Sequence, residues 1–138
     1  MRELACLFLT TTLLIADPRL GEKIYLGAVP LSARIAGSSD ELSPAAAKCV
    51  NCHGSDARGV TEGELRGSDI RTQVLQTAAR RRGGPPSRYD RLTFCAALRS
   101  GHDPAGVVLA RGMPRYRIPT IACTALWNYL EALQSKEQ

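Results

Sequence analysis

The chain has 138 residues, which is room for one domain. Hydrophobic residues make up 44% and charged residues 22%, and this balance excludes both a disordered chain and a multi-span membrane protein. The formal net charge of +5 favours an acidic partner surface and is too small for a nucleic-acid-binding stripe.

The first sixteen residues read as a targeting segment. Thirteen mostly apolar residues run from Leu4 to Ala16 and follow Arg2. This run is shorter than the roughly 20 residues that a membrane-spanning helix needs, and it suits the apolar region of a secretory signal. We therefore predict a signal peptide over residues 1–16, export to the periplasm and a single domain over residues 17–138. A buried helix is one alternative. An uncleaved anchor is another, because Leu14 is too large for a standard cleavage site.

The cysteine spacing carries the strongest chemical signal. The chain has five cysteines, of which Cys6 lies in the predicted signal. Two others lie in Cys49-Val50-Asn51-Cys52-His53, which has the spacing of a haem c attachment site. Two cysteines at this spacing can each add to a haem vinyl group, and the adjacent histidine then lies beneath the iron. The motif predicts one haem c, bound covalently through Cys49 and Cys52 and ligated by His53.

Half of a zinc site and a redox-active dithiol are the alternatives for this motif. A structural zinc site needs a second Cys/His pair, whereas His102, Cys95 and Cys123 stand apart from one another in the sequence. A thioredoxin-like pair needs alternating strands and helices around it, and the flanking sequence shows no such pattern.

Met113 is the candidate for the second axial ligand. It is the only methionine besides Met1, lies sixty residues after His53 and is followed by Pro114, which restricts the backbone beside the sulfur. A lone methionine is otherwise core filler. Thioether ligation would fill the sixth iron position and raise the reduction potential, which suits an electron carrier. His53 and Met113 are therefore the predicted iron ligands.

The sequence resembles the class I cytochrome c family over most of the chain after the signal. Gly21–Tyr25 is similar to the family's first helix, Cys49–His53 to its haem motif, Gly112–Tyr116 to its methionine loop and Leu126–Leu133 to its last helix. The resemblance implies the class I fold, in which the last helix crosses the first. It also implies Cys49 and Cys52 as thioether anchors, with His53 and Met113 as proximal and distal ligands.

One segment departs from the family pattern. Tyr25 and Cys49 are 24 positions apart, about twice the usual spacing in the family. The insert at residues 26–42 contains Pro30 and Gly37, so we expect an extra loop or short hairpin there.

Periodicity predicts three further elements after the haem motif. A helix over residues 70–81 would be capped by Asp69, bury Val74 and Leu75, and end at Gly83-Gly84-Pro85-Pro86. A second helix would start at Ser87 or Asp90 and run through Arg99, closed by Gly101 in left-handed geometry. Its buried stripe would be Leu92, Phe94, Cys95 and Leu98.

The last helix would begin at Pro119. Its apolar stripe would include Ala122, Leu126, Tyr129, Leu130 and Leu133. No convincing strand pattern appears outside the insert, so the predicted fold class is all-α.

Cys95 and Cys123 are the two cysteines that the haem motif leaves over. Each lies on an apolar helix face, and the oxidising compartment favours a disulfide between them. Such a bond would close a loop of about 28 residues and contribute about 3–4 kcal/mol in the chain-entropy description. Two separate buried thiols are the alternative. The resemblance does not support the disulfide, since most members of the family lack it.

The remaining candidates are basic residues, most of them near Met113. Arg111, Arg115 and Arg117 bracket Met113, and the family's methionine loop borders the exposed haem edge. These arginines would steer an acidic redox partner, or one of them would pair with a haem propionate. Arg80-Arg81-Arg82 reads as a solvated face. His102 lies in a turn and is either solvated or a replacement ligand when Met113 dissociates.

Two classes of function follow from these features. The favoured one is a soluble periplasmic electron carrier with a redox partner that has an acidic docking surface, with no enzymatic activity, no nucleic-acid partner and no membrane span. The alternative is a haem-based gas sensor or peroxidase-like enzyme with an opening distal site. A firm Met113 ligand argues against the alternative, because such chemistry usually needs an open iron position and distal polar groups.

Overall fold

The computed structural model describes residues 16–63 and 65–136, so the predicted signal peptide, Ala16 excepted, lies outside the described residues. Within them the helices are α1 (Pro18–Tyr25), α2 (Cys49–His53), α3 (Thr72–Leu75), α4 (Arg91–Ser100) and α5 (Thr120–Ser135). The strands are β1 (Ser32–Arg34), β2 (Thr61–Glu62), β3 (Leu65–Arg66), β4 (Ala79–Arg80), β5 (Pro86–Ser87) and β6 (Arg115–Arg117). No helix in this part of the chain is both long and apolar enough to cross a membrane.

The prediction of an all-α fold is wrong, because the helices are combined with three two-stranded antiparallel sheets. These sheets pair β1 with β6, β2 with β3, and β4 with β5. Each strand has only two or three residues. The alternation that identifies a strand in a sequence needs about four to eight residues, so strands of this length leave no readable pattern.

Helices α1 and α5 pack together at very close range. Asp17 caps α1 by accepting a hydrogen bond from the Arg19 amide, and Pro18 occupies the first turn. At the crossing, a Cβ on Gly21 would collide with the backbone carbonyl of Ala125 and the side chain of Tyr129. Glycine therefore allows the two backbones to approach, and the apolar faces on both sides bury the central core, which includes Ile24, Tyr25, Leu126 and Leu130.

Helix α4 confirms the predicted helix that ends before Gly101. Asp90 and Thr93 form a reciprocal capping box at its start, and Gly101 ends it in the left-handed conformation with φ 74°. Phe94 packs against Trp127 of α5 with ring centroids 5.3 Å apart. Leu92, in contrast to the prediction, is 69% exposed and takes no part in the buried stripe.

The disulfide between Cys95 and Cys123 is present. It joins α4 to α5 with a Cα–Cα distance of 5.9 Å, and both residues are buried. The last helix itself begins one residue later than expected, with Pro119 as its N-cap. The bond therefore covalently connects the two helices that flank the Met113 segment.

The predicted helix over residues 70–81 is wrong. Only Thr72–Leu75 is helical, and the chain then turns into the hairpin of β4 and β5. The Arg81 guanidinium donates to the carbonyl oxygens of Val74, Leu75 and Thr77, which a continuing helix would have used for its own hydrogen bonds. Asp69 does not cap a helix, since it accepts hydrogen bonds from Arg71 instead.

Arg81 also corrects the interpretation of residues 80–82 as a solvated face. Its side chain is half-buried, and its guanidinium carbon lies 5.0 Å from the centroid of the Tyr89 ring. Arg80 and Arg82 are exposed, as expected.

The insert forms a strand that pairs with the far end of the chain. Within the insert, Arg34 and Glu41 form an antiparallel bridge, and the Leu42 amide donates to the Ala33 carbonyl at 2.8 Å. Strand β1 also pairs with β6, which places Ala33 opposite Tyr116. Both of these residues are buried, so the insert packs against the segment that follows Met113.

Candidate functional site

Helix α2 carries three of the four predicted site residues. Cys49 and His53 are buried, and Cys52 is half-buried. Cys49 and Cys52 are free thiols rather than a disulfide. Residues three apart on a helix lie on the same side, so both thiols can reach the same bound group.

The His53 imidazole is oriented by a backbone hydrogen bond. Its Nδ1 lies 2.7 Å from the Ser68 carbonyl oxygen. Since a carbonyl oxygen only accepts, Nδ1 carries the proton, and Nε2 keeps the lone pair that a metal needs. Metal-bound histidines characteristically donate their other ring N–H in this way.

The turn after α2 brings Ser68 back to the histidine. The Gly59 amide donates to the His53 carbonyl at 2.9 Å, and the Val60 amide donates to the Cys52 carbonyl at 3.0 Å. Strands β2 and β3 then reverse the chain, and the Gly67 amide donates to the Val60 carbonyl at 2.9 Å. A Cβ at Gly67 would collide with the Cys52 carbonyl oxygen, so only glycine allows this return path.

Helix α1 supports the same turn from the other side. The Tyr25 hydroxyl donates to the Gly54 carbonyl oxygen at 2.6 Å, and both groups are buried. Gly54 directly follows His53 and has a φ of 74°, which favours glycine. The crossing of α1 and α5 therefore fixes the residue next to the candidate ligand.

Burial sets the protonation state of the His53 imidazole. Desolvation lowers the pKa of His53, although its hydrogen bond to Ser68 acts in the opposite direction. The imidazole is consequently neutral at neutral pH, which is the form that binds a metal.

The two thiols lack the electrostatics of a redox-active pair. Burial raises the pKa of the Cys49 thiol to about 11, and it also raises that of Cys52. Reactive dithiols instead have a cysteine with a lowered pKa. In residues 16–63 and 65–136, no three or more His, Cys, Asp or Glu side chains form a group that could hold a metal ion. A haem iron held by one histidine and one methionine does not require such a group.

Met113 is half-buried and packs against the same core as Cys49 and Tyr116. Its amide donates to the Ala110 carbonyl at 3.0 Å, which closes a tight turn, and Pro114 is buried beside it. Met113 therefore lies in a short loop, and its side chain packs against the core that also contains Cys49.

Tyr116 links this loop to the segment just before the Cys49–His53 motif. Its hydroxyl donates to the Ala47 carbonyl oxygen at 2.8 Å, two residues before Cys49. Burial raises the pKa of Tyr116, and the proximity of Cys49 and Cys52 raises it further. Sequence reasoning assigned no role to Tyr116 or Ser68. Tyr116 ends the Gly112–Tyr116 segment, whereas a backbone carbonyl such as that of Ser68 leaves no signal in a sequence.

A shallow cleft of about 510 Å³ lies beside Tyr116. It is lined by Arg99, Tyr116, Arg117, Ile118 and Pro119. Neither His53 nor Met113 lines it, so this cleft is distinct from the candidate site.

The three arginines around Met113 have different surroundings. Arg111 is exposed, and Arg117 is exposed with its guanidinium 3.4 Å from the Glu41 carboxylate. Arg115 is half-buried and donates to carbonyl oxygens of the Met113 loop. His102 is exposed in a turn that bridges to Val108, which agrees with its interpretation as a solvated histidine.

The donor set fits a haem of the c type. The chain presents two unbonded thiols on one helical face, a neutral imidazole whose Nε2 is free to ligate, and a thioether on a neighbouring loop. Comparisons with protein-family models, with curated proteins and with solved structures found no match.

The close approach at Gly67 can be tested by Gly67→Ala. The added methyl group would meet the Cys52 carbonyl, so we expect a loss of at least about 1–3 kcal/mol in the free energy of unfolding, measured by urea denaturation. Gly112→Ala is the matched control, because nothing lies within 4 Å of a Cβ there. Equal stability of the two variants would contradict the described path of the chain beside Cys52.

Proposed function

We propose that the protein is a periplasmic electron carrier with one covalently bound haem c. Cys49 and Cys52 would attach the haem, and His53 and Met113 would ligate its iron. The observation that carries the proposal is the His53 imidazole, which is buried, neutral and held at Nδ1 by the Ser68 carbonyl. When bound, the haem supplies a one-electron couple at its iron.

The ordered Met113 loop favours a carrier over a gas sensor or peroxidase-like enzyme. The loop is closed by its own backbone hydrogen bond and attached to the haem motif through Tyr116 and Ala47. A thioether on such a loop would ligate the haem iron, whereas a sensor or peroxidase needs an open iron position. His53 and Met113 would also exclude water from the iron, which limits the structural change that accompanies electron transfer.

The segment that contains the Met113 loop is rich in arginine. Residues 70–119 contain ten arginines, no lysine and two acidic residues, Asp90 and Asp103. The turn between β4 and β5 reaches this loop because the Arg82 Nε donates to the Val108 carbonyl at 2.9 Å. Val108 is 54% exposed, and Arg111 is exposed three residues further on.

Arg80, Arg82, Val108 and Arg111 are therefore the proposed docking surface for the redox partner. Exposed positive charges around an apolar contact favour a partner with an acidic surface, because complementary charge raises the association rate. Arg115 does not belong to this surface, since its guanidinium faces the loop carbonyls.

The covalent attachment can be tested on the purified protein. In the unmutated chain, haem should remain with the polypeptide after denaturation and acid–acetone extraction, because thioether bonds survive that treatment. Cys49→Ser with Cys52→Ser should abolish this retention. Cys95→Ala with Cys123→Ala is the control and should retain haem if the protein accumulates. Haem that is extracted from the unmutated protein would contradict the attachment.

The docking surface can be tested by Arg82→Gln with Arg111→Gln. The double variant should transfer electrons more slowly to a negatively charged redox protein at low ionic strength, by about tenfold or more. The difference should shrink at high salt, where screening already removes the attraction. Arg19→Gln on α1 provides a control for loss of charge. Equal slowing at both ionic strengths would instead indicate a structural role for the two arginines.

A further inference from the structure

Arg115 points its side chain into the loop that carries Met113. Its guanidinium donates to the carbonyl oxygens of Ala110 and Leu109, each at 3.3 Å, and to that of Met113. Three carbonyls within five residues of chain therefore converge on one side chain. A guanidinium has five N–H donors in a planar fork and can satisfy all three at once.

Gly101 makes room for this arrangement. A Cβ at Gly101 would collide with the Arg115 Nε and lies close to the rest of the guanidinium. Gly101 also ends α4 in the left-handed conformation, and its carbonyl accepts a hydrogen bond from the Leu109 amide at 2.8 Å. The end of α4, the Arg115 side chain and the start of the Met113 loop are thus packed as one unit.

The insert fixes the backbone from which Arg115 extends. Arg115 lies in β6 directly opposite Arg34 of β1, and the next pair, Ala33 with Tyr116, is buried. The side chain of Arg115 consequently reaches the loop from a strand that is held on one side by β1 and through Tyr116 by Ala47.

We propose that Arg115 is a positioning residue that holds the Met113 loop closed and thereby keeps the Met113 thioether on the haem iron. The inference rests on the proposed function for the identity of the ligand, but the loop geometry rests on the hydrogen bonds of this chain alone. Arg115 does not touch the iron and acts through the loop backbone. Lysine in its place would keep the charge and lose the planar fork, so charge alone should not suffice.

The experiment compares Arg115→Gln and Arg115→Lys with Arg117→Gln in the full chain. Arg117 lies on the same strand, is exposed and contacts Glu41 rather than the loop, so it is a matched control. The first measurement is amide hydrogen exchange at Leu109 and Met113, whose amides donate within this unit. Exchange should be about tenfold faster or more in both Arg115 variants and unchanged in Arg117→Gln.

The second measurement is the weak long-wavelength absorption band that a methionine sulfur gives on ferric haem iron. As the pH is raised, both Arg115 variants should lose this band at a lower pH than the unmutated protein does. Arg117→Gln should lose it at the same pH as the unmutated protein. The lysine variant keeps the test valid if Arg115→Gln does not fold.

Unchanged exchange at Leu109 and Met113 would overturn the proposal. Faster exchange with an unchanged band would also overturn it, because the loop would then open without affecting the ligand. Absence of the band from the unmutated protein would instead contradict the Met113 ligand of the proposed function, and the exchange rates would still show whether Arg115 closes the loop.

Discussion

The crossing of α1 and α5 at Gly21 is the contact on which the rest of the molecule depends. The absence of a side chain at Gly21 lets the two backbones approach, and Tyr25 of α1 then packs against Tyr129 of α5 with ring centroids 5.4 Å apart. Tyr25 extends from this crossing to the carbonyl of Gly54, next to His53. A change at Gly21 would therefore affect the candidate ligand through a helix that does not contain it.

The candidate site is held from two directions. The histidine side is formed by local chain, in which the turn after α2 and the β2–β3 hairpin return Ser68 to the imidazole. The methionine side is formed by distant segments. Strand β1 of the insert pairs with β6, the Tyr116 hydroxyl donates to the Ala47 carbonyl, and the disulfide joins the two helices that flank residues 109–117. Local folding thus orients the imidazole, whereas tertiary packing places the thioether loop.

The parts of the structure that the sequence predicted are those encoded by neighbouring residues. The Cys49–His53 motif places its groups on a single short helix. Gly101 follows the apolar stripe of α4 and ends that helix in the left-handed conformation. The disulfide between Cys95 and Cys123 was favoured over two separate thiols, because neither the predicted signal nor the Cys49–His53 motif uses these two cysteines.

The parts that the sequence did not predict depend on the backbone or on distant pairing. Strands of two or three residues carry no period, and the partner of β1 lies near the other end of the chain. Every residue has a backbone carbonyl, so nothing in the sequence distinguishes that of Ser68. Arg81 and Arg115 look like solvent-exposed charges in the sequence, whereas each donates to several main-chain carbonyls and replaces hydrogen bonds that a helix or strand would otherwise make.

Carbon monoxide binding to the reduced protein tests the central claim most directly, which is that His53 and Met113 hold one haem iron. The account predicts that the unmutated protein resists carbon monoxide, because the thioether occupies the sixth position. Met113→Ala should bind it readily, keep its covalently attached haem and show a lower reduction potential. The account would be contradicted if the unmutated protein bound carbon monoxide readily and Met113→Ala changed neither this binding nor the potential.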